Sequence, residues 1–233
     1  MKVVAIVQAR MGSTRLPGKV LKSINGKPMI EILLSRLSRS TELDQIVVST
    51  SLKTENDKLN STIISLGYVC VRGSENDVLA RYYETAKKVK ADIVVRITAD
   101  CPLIDPQLVD ECIKGFKNYD IDYFSNTNPR SFPDGLDVSV MSFKSIKRAY
   151  CEAKSLYDRE HVTSFIINSE NFSKGFLKNK KDLSKIRWTV DNQKDLDTVS
   201  NIFKHFSPNI HFSWLDVLKL NQTKKNLFLN NLK

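Results

Sequence analysis

Short apolar runs at residues 3–7, 45–49, 68–72 and 93–97 punctuate the first half of the chain, and a longer amphipathic stretch follows each one. The first, Val3-Val4-Ala5-Ile6-Val7, is unbroken by any polar residue, the pattern of a strand covered on both faces. Residues 28–39 place Ile32, Leu33 and Leu37 at helical spacing, with Pro28 near the first turn. Residues 54–66 and 76–89 repeat that spacing. In the latter, Val78, Leu79, Tyr82, Tyr83 and Ala86 make the apolar stripe, which assigns Tyr82 to the core. Strand and helix patterns that alternate in this way predict βαβ units and a mostly parallel sheet.

Beyond Asp105-Pro106 a helix to about residue 116 is expected, and then the regularity breaks. Residues 118–140 are rich in Asn, Asp, Pro and Gly, with a strand predicted at 138–141. Helices at 143–153 and 159–168 follow, then a strand near Phe176, another at 186–190 and a helix at 192–206. The chain reads as a single domain, residues 1–233, of α/β class: three layers around a mostly parallel mixed sheet. A smaller protruding element occupies roughly 118–175. No internal repeat is visible.

Composition narrows the function. The 233 residues are 41% hydrophobic, enough for a full core. No run approaches the ~18 apolar residues of a membrane-spanning helix, and the N-terminus lacks a signal-peptide pattern, so a cytoplasmic protein without membrane association is expected. Cys70, Cys101, Cys112 and Cys151 show no CxxC spacing and no clustering with the histidines, which argues against a zinc site or a disulfide framework. The formal net charge of +10 raises the question of nucleic acid. The lysines are dispersed and their densest groups, Lys178, Lys180, Lys181 and Lys224, Lys225, carry no interleaved aromatics, so no nucleic-acid partner is expected.

The densest chemistry lies in residues 8–19, Gln8-Ala9-Arg10-Met11-Gly12-Ser13-Thr14-Arg15-Leu16-Pro17-Gly18-Lys19, directly after the first apolar run. Ligands in open α/β sheets sit beyond the carboxyl ends of the strands. Backbone N–H groups at Gly12 and Ser13 suit phosphate oxygens, Arg10 and Arg15 offer forked donors, and Lys19 offers a point charge. The loop is not a Walker motif: five residues rather than four separate Gly12 from Gly18-Lys19, and Val20 stands where Ser or Thr would bind Mg²⁺. The dinucleotide fingerprint is absent as well.

This segment resembles the N-terminal signature of the sugar-acid cytidylyltransferases, the 3-deoxy-manno-octulosonate and acylneuraminate enzymes. It is most similar to their branch in spore-coat and surface polysaccharide biosynthesis. Further matches are Gly73-Ser74-Glu75-Asn76-Asp77-Val78-Leu79-Ala80-Arg81-Tyr82, Asp134-Gly135-Leu136-Asp137-Val138 and Arg159-Glu160-His161-Val162-Thr163, so the likeness runs from residue 3 to about 200. It implies a Rossmann-like nucleotide-diphospho-sugar transferase fold, CTP and an acidic sugar as substrates, Mg²⁺ as cofactor and a homodimer. The reaction so implied moves CMP from CTP to a nonulosonic or octulosonic acid and releases pyrophosphate, for surface polysaccharide or lipopolysaccharide.

Nucleotidyl transfer calls for carboxylates to hold the cation. Asp100 follows the strand at 93–97 in Thr98-Ala99-Asp100-Cys101-Pro102-Leu103-Ile104, which resembles the family's Gln-Gly-Asp-Glu-Pro-Leu-Ile motif, whose first acid is a magnesium ligand. Asp191, before Asn192-Gln193-Lys194-Asp195-Leu196, matches the family's late Val-Asp-Thr-Pro-Glu-Asp-Leu run and would complete the metal site; read from sequence alone, either acid also suits a turn or a helix cap. Thr98 and Cys101 depart from the family's Gln and Glu beside the base and metal. The expected catalytic set is Arg10, Lys19 and Asp100. The nucleotide set is Gln8, Ala9, Arg10, Gly12, Ser13, Arg15, Lys19, Arg81, Thr98 and Ala99, and Asp137, Arg159 and His161 are expected at the acceptor. Alternatives left open are a nucleotidyltransferase of the same fold with another NTP or acceptor, a non-catalytic nucleotide-binding paralogue, and a nucleic-acid binder.

Overall fold

The computed structural model of the chain describes residues 1–229. β1 (Val3–Gln8) runs into a long loop that ends in a small hairpin of β2 (Ser23–Ile24) and β3 (Lys27–Pro28). The parallel half continues through α1 (Met29–Leu37), β4 (Gln45–Ser51), α2 (Asp57–Ser65), β5 (Val69–Gly73), α3 (Val78–Lys88) and β6 (Ile93–Thr98). α4 (Pro106–Asn118) leads to β7 (Tyr123–Ser125), β8 (Ser139–Ser142), α5 (Phe143–Glu152), α6 (Leu156–His161), α7 (Ser164–Asn168) and β9 (Lys174–Phe176). α8 (Gln193–Phe206) and α9 (Trp214–Thr223) follow.

Among the described residues the main sheet has seven strands in the order β5-β4-β1-β6-β8-β7-β9. β5, β4, β1 and β6 are parallel, β8 runs antiparallel to β6, and β7 and β9 are parallel to one another. The chain therefore moves outward from β1 to β4 and β5, then returns to place β6 on the other side of β1. That reversal opens a crevice between the loops after β1 and β6, where α/β folds bind ligands. Residues 118–176 donate β7, β8 and β9 to the sheet as well as the helices that cover part of one face.

Both faces are sealed. One core cluster joins α1, α2, α4, α8 and α9 to the sheet, and the strands contribute Ala5, Val7, Val48, Val95 and Ile97 to it. The other joins α3, α5 and residues 162–166 to Val4, Ile6, Val47 and Val94. The alternation of these strand residues between the two clusters is the period of 2 in a strand with two buried faces. Asp105 caps α4 by accepting from the Gln107 and Leu108 amides at 2.9 and 3.4 Å, with Pro106 at the first helical position. Arg36 is 1% exposed, yet its guanidinium is satisfied by the carbonyls of Ile104, Ile210 and Leu103 at 3.1, 2.6 and 3.3 Å. It fixes the segment just after Asp100; burial pulls its pKa down to about 10 despite the opposing pull of Asp105.

Two predicted elements differ. The expected helix at 159–168 is divided: Val162 adopts φ 61°, a left-handed backbone that β-branched residues avoid, and α6 ends before it. The expected strand at 186–190 is an extended segment with a single parallel bridge, Arg187 to Asp134, because its remaining backbone contacts go to a loop. The Val190 amide donates to the Asp100 carbonyl at 2.8 Å, which ties the two acidic segments together.

Candidate active site

The loop after β1 is held by its neighbours rather than by its own regular structure. The Ala9 amide donates to the Ser49 carbonyl at 3.1 Å, and the Ala99 amide to the Gln8 carbonyl at 2.9 Å. Asn56 accepts from the Met11 amide at 2.8 Å, and the Gly18 and Ser13 amides both close onto the Met11 carbonyl at 2.9 Å. Gly18, at φ 67°, makes the turn that delivers Lys19 back to the sheet edge. The Ser13 amide is therefore engaged within the loop, and the Ser13 hydroxyl accepts from the Leu16 amide at 3.4 Å.

A cavity of about 430 Å³ opens over this edge. Its walls hold Gln8, Ala9, Arg10, Gly12, Ser13, Arg15, Lys19, Thr98, Ala99, Asp100, His161 and Asp191, together with Thr14 and Val20, which sequence reasoning left out. Most of the predicted nucleotide set and both predicted metal carboxylates thus share one space. Arg81, Asp137 and Arg159 are placed elsewhere. Arg81 is 1% exposed and donates to the Ser74 and Glu75 carbonyls, so it braces the loop before α3. Asp137 is forked by Arg130 at 2.7 and 2.6 Å, and Arg159 is forked onto Asp77 while it also donates to the Tyr150 carbonyl at 2.6 Å. Family likeness marked these residues; the fold uses Asp137 and Arg159 in internal ion pairs and Arg81 on backbone carbonyls.

The electrostatic centre is a cation between two carboxylates. Lys19 Nζ lies 3.2 Å from Asp100 Oδ2, 3.0 Å from Asp191 Oδ1 and 2.8 Å from the Val190 carbonyl. Arg15 reaches the other Asp191 oxygen at 3.0 Å, and Arg187 reaches the same oxygen at 2.6 Å. Burial alone would raise the Asp191 pKa, but the hydrogen bonds from Arg187 and Lys19 and the charges of Lys19 and Arg15 outweigh it and hold the carboxyl below the usual range. Arg10 pairs with Glu75 at 3.1 Å, and Glu75 too is held low, its burial outweighed by Ser51 and Arg10. Beside Asp100, burial and the neighbouring carboxylate push the Cys101 thiol far up, so it stays protonated and is no nucleophile at neutral pH.

Asp100 and Asp191 offer hard oxygen donors close enough to share one ammonium. That donor set fits Mg²⁺, which takes one or two carboxylates and fills its other positions from water and substrate phosphate. Among the described residues no group of three or more His, Cys, Asp or Glu side chains is arranged for a metal. Arg187 was missed from sequence because it stands inside a stretch read as a strand, and its partner Asp134 lies 53 positions earlier in the chain. Asp195 was legible in part, as the acid of an Asn192-x-x-Asp195 capping box that opens α8.

Comparison with known proteins agrees with this geometry. A family model described as cytidylyltransferase matches residues 4–231. The chain is 39% identical over 209 residues to the uncharacterized protein MJ1063 of Methanocaldococcus jannaschii, covering 88% of this chain and 85% of that one. It is 29% identical to the spore coat polysaccharide biosynthesis protein SpsF of Bacillus subtilis (87% and 86% covered) and to a 3-deoxy-manno-octulosonate cytidylyltransferase of Hydrogenovibrio crunogenus (84% and 73%). A solved cytidylyltransferase structure from Leptospira borgpetersenii superposes with a TM-score of 0.96 at 31% identity, covering 100% of this chain and 99% of that one. No helix among the described residues is long and apolar enough to cross a membrane.

Proposed function

Because the chain belongs to the cytidylyltransferase family, we propose that it transfers CMP from CTP to a hydroxyl of an acidic sugar and releases pyrophosphate. The observation that carries this reading is the meeting of Arg10, Arg15 and Lys19 with Asp100 and Asp191 around one cavity at the sheet's reversal point. Likeness to the octulosonate cytidylyltransferase supports the acidic sugar, and likeness to the spore-coat protein supports a place in polysaccharide biosynthesis.

In this reaction the acceptor oxygen attacks the α-phosphorus in line, the bond to pyrophosphate breaks, and the acceptor hydroxyl passes its proton to solvent. Arg10, Arg15 and Lys19 receive the triphosphate, and their fixed charges offset the negative charge that grows on the leaving pyrophosphate. Asp100 and Asp191 would hold Mg²⁺, which when bound neutralises phosphate oxygens and lowers the pKa of a hydroxyl beside it. Gln8, Thr98 and Ala99 line the same wall and orient the nucleotide, while His161 faces the cavity from α6 on the acceptor side. Such catalysis is mostly positioning, so none of these side chains needs to be a strong base.

A homodimer is part of the reading. α6 buries none of its residues, and Leu156 and Tyr157, 88% and 62% exposed, stand one turn from His161 as apolar surface that a second copy would cover. A substrate set of CTP and a free sugar acid also fits work in the cytoplasm. Pyrophosphate release measured with each of the four NTPs and a panel of sugar acids tests the assignment. Release is expected with CTP; release with GTP, UTP or ATP but not CTP would give this cavity to another nucleotide.

A further inference from the structure

Arg187 meets three carboxylates, Asp134 from the irregular region and Asp191 and Asp195 from the entry to α8. Nη2 donates to Asp191 Oδ2 at 2.6 Å, Nη1 to Asp134 Oδ2 at 3.0 Å, and Nε and Nη2 to the two oxygens of Asp195 at 3.3 and 3.2 Å. We propose that Arg187 is a positioning residue that sets the orientation of the Asp191 carboxylate and ties it to the turn at residues 130–137. The proposal rests on the reading of Asp100 and Asp191 as the pair that holds the metal.

The contacts divide the Asp191 carboxylate into two halves. Oδ2 is held by Arg187 and Arg15, which leaves Oδ1 turned to the position that Lys19 now occupies between Asp191 and Asp100. A guanidinium suits this because its donors lie in one rigid plane and reach several carboxylates at once, whereas an ammonium offers a point charge. The backbone is fixed by the same group of residues. Asp195, 1% exposed, accepts from the Asp191 and Asn192 amides at 2.9 and 3.2 Å while it anchors Arg187, so main chain and side chain of Asp191 share one buried support.

On its other side the network reaches the irregular region. Asp134 pairs with Arg130 at 3.5 Å, and Arg130 forks Asp137. The Trp188 amide donates to the Asp134 carbonyl at 2.6 Å, and the Asp134 amide to the Ile186 carbonyl at 2.9 Å. Gly135, at φ 112°, lets the turn lie against residues 188 and 189: a Cβ there would stand 2.6 Å from the Thr189 nitrogen. Any shift of residues 130–137 therefore pulls on the residue that orients Asp191. Groups that orient a metal ligand from behind are worth 10–100-fold in metal affinity.

The test is a titration of Mn²⁺ into the full-length protein with α,β-methylene-CTP present, read as free Mn²⁺ by electron paramagnetic resonance, alongside the Mn²⁺ dependence of turnover. Arg187→Met is expected to weaken Mn²⁺ binding by about 10–100-fold, with kcat at saturating metal reduced far less. Arg187→Lys keeps the charge and loses the fork, so it is expected to shift affinity in the same direction, and Asp134→Asn to do so to a smaller degree. Should Arg187→Met fail to fold, the other two variants carry the test. Unchanged Mn²⁺ affinity in the folded variants, with only a lowered melting temperature, overturns the proposal and leaves Arg187 a structural staple. Asp191→Asn in the same titration separates the two levels: if it leaves Mn²⁺ affinity intact, the metal reading itself fails. If it abolishes binding while the Arg187 variants do not move it, only the positioning role fails.

Discussion

Replacement of Lys19 by Met removes a charge that the free protein places between its two acids. The side chain is 11% exposed and lies 3.2 Å from Asp100 and 3.0 Å from Asp191. At an effective dielectric of about 20, each pair is worth roughly 5 kcal/mol of gross Coulomb attraction, most of it offset by lost hydration. Arg15 and Arg187 remain on Asp191, so the protein is expected to fold. Two opposite effects then follow. Turnover falls about 10²–10³-fold, the loss typical of removing one preorganised donor to developing charge, or roughly 3–4 kcal/mol. Mn²⁺ binding to the nucleotide-free protein strengthens, because no ammonium competes for the Asp100 and Asp191 oxygens. Steady-state pyrophosphate release and calorimetric Mn²⁺ titration measure the two. Turnover within about threefold of the natural protein, or no gain in metal affinity without nucleotide, would refute the reasoning that one site serves the ammonium and the divalent ion in turn.

Three further outcomes are expected. Asp110, whose burial is outweighed by the Ser40 hydroxyl and the Thr41 and Glu42 groups that bond it, is held low; it contributes stability that is present above the ordinary carboxylate pKa of about 3.9 and is lost as pH falls through its lower folded value. Asp110→Asn should therefore cost about 1–2 kcal/mol at pH 7 in urea unfolding, with the difference from the natural protein vanishing in strong acid. Cys101→Ser should keep turnover within about threefold, and iodoacetamide at neutral pH should modify the exposed Cys151 before the buried, protonated Cys101; fast labelling of Cys101 would count against its inert reading. Gly135→Ala forces a Cβ against backbone atoms of residues 188 and 189 and should lower the melting temperature by at least ~6 °C, corresponding to about 2 kcal/mol or more; an unchanged melting curve would show that the turn yields.

The parallel half of the fold was legible because its strands are continuous apolar runs and its helices carry clean stripes. β1 and β6 lie within one residue of the runs at 3–7 and 93–97. The cationic loop was legible too, since Arg, Gly, Ser and Lys in one connection after a buried strand have few structural uses. What escaped was long-range pairing. Nothing local to Asp137 announces Arg130 across a turn, and nothing near Arg159 announces Asp77, 82 positions earlier in the chain. Arg187 escaped for a related reason: Asp134, 53 positions earlier, joins Asp191 and Asp195 on it only when the segment after β9 lies beside the turn between β7 and β8. The Val162 break was hidden because a β-branched residue at positive φ runs against local preference.

The central claim is that this cavity joins CMP to an acidic sugar. The most direct measurement is mass-spectrometric analysis of products formed by the purified protein from CTP, Mg²⁺ and a panel of nonulosonic and octulosonic acids, with Asp191→Asn as control. A CMP-linked sugar acid and one equivalent of pyrophosphate, both lost in the Asp191→Asn protein, is the predicted result. A nucleotide-linked product that forms from a different NTP, or on a neutral acceptor alone, would contradict it.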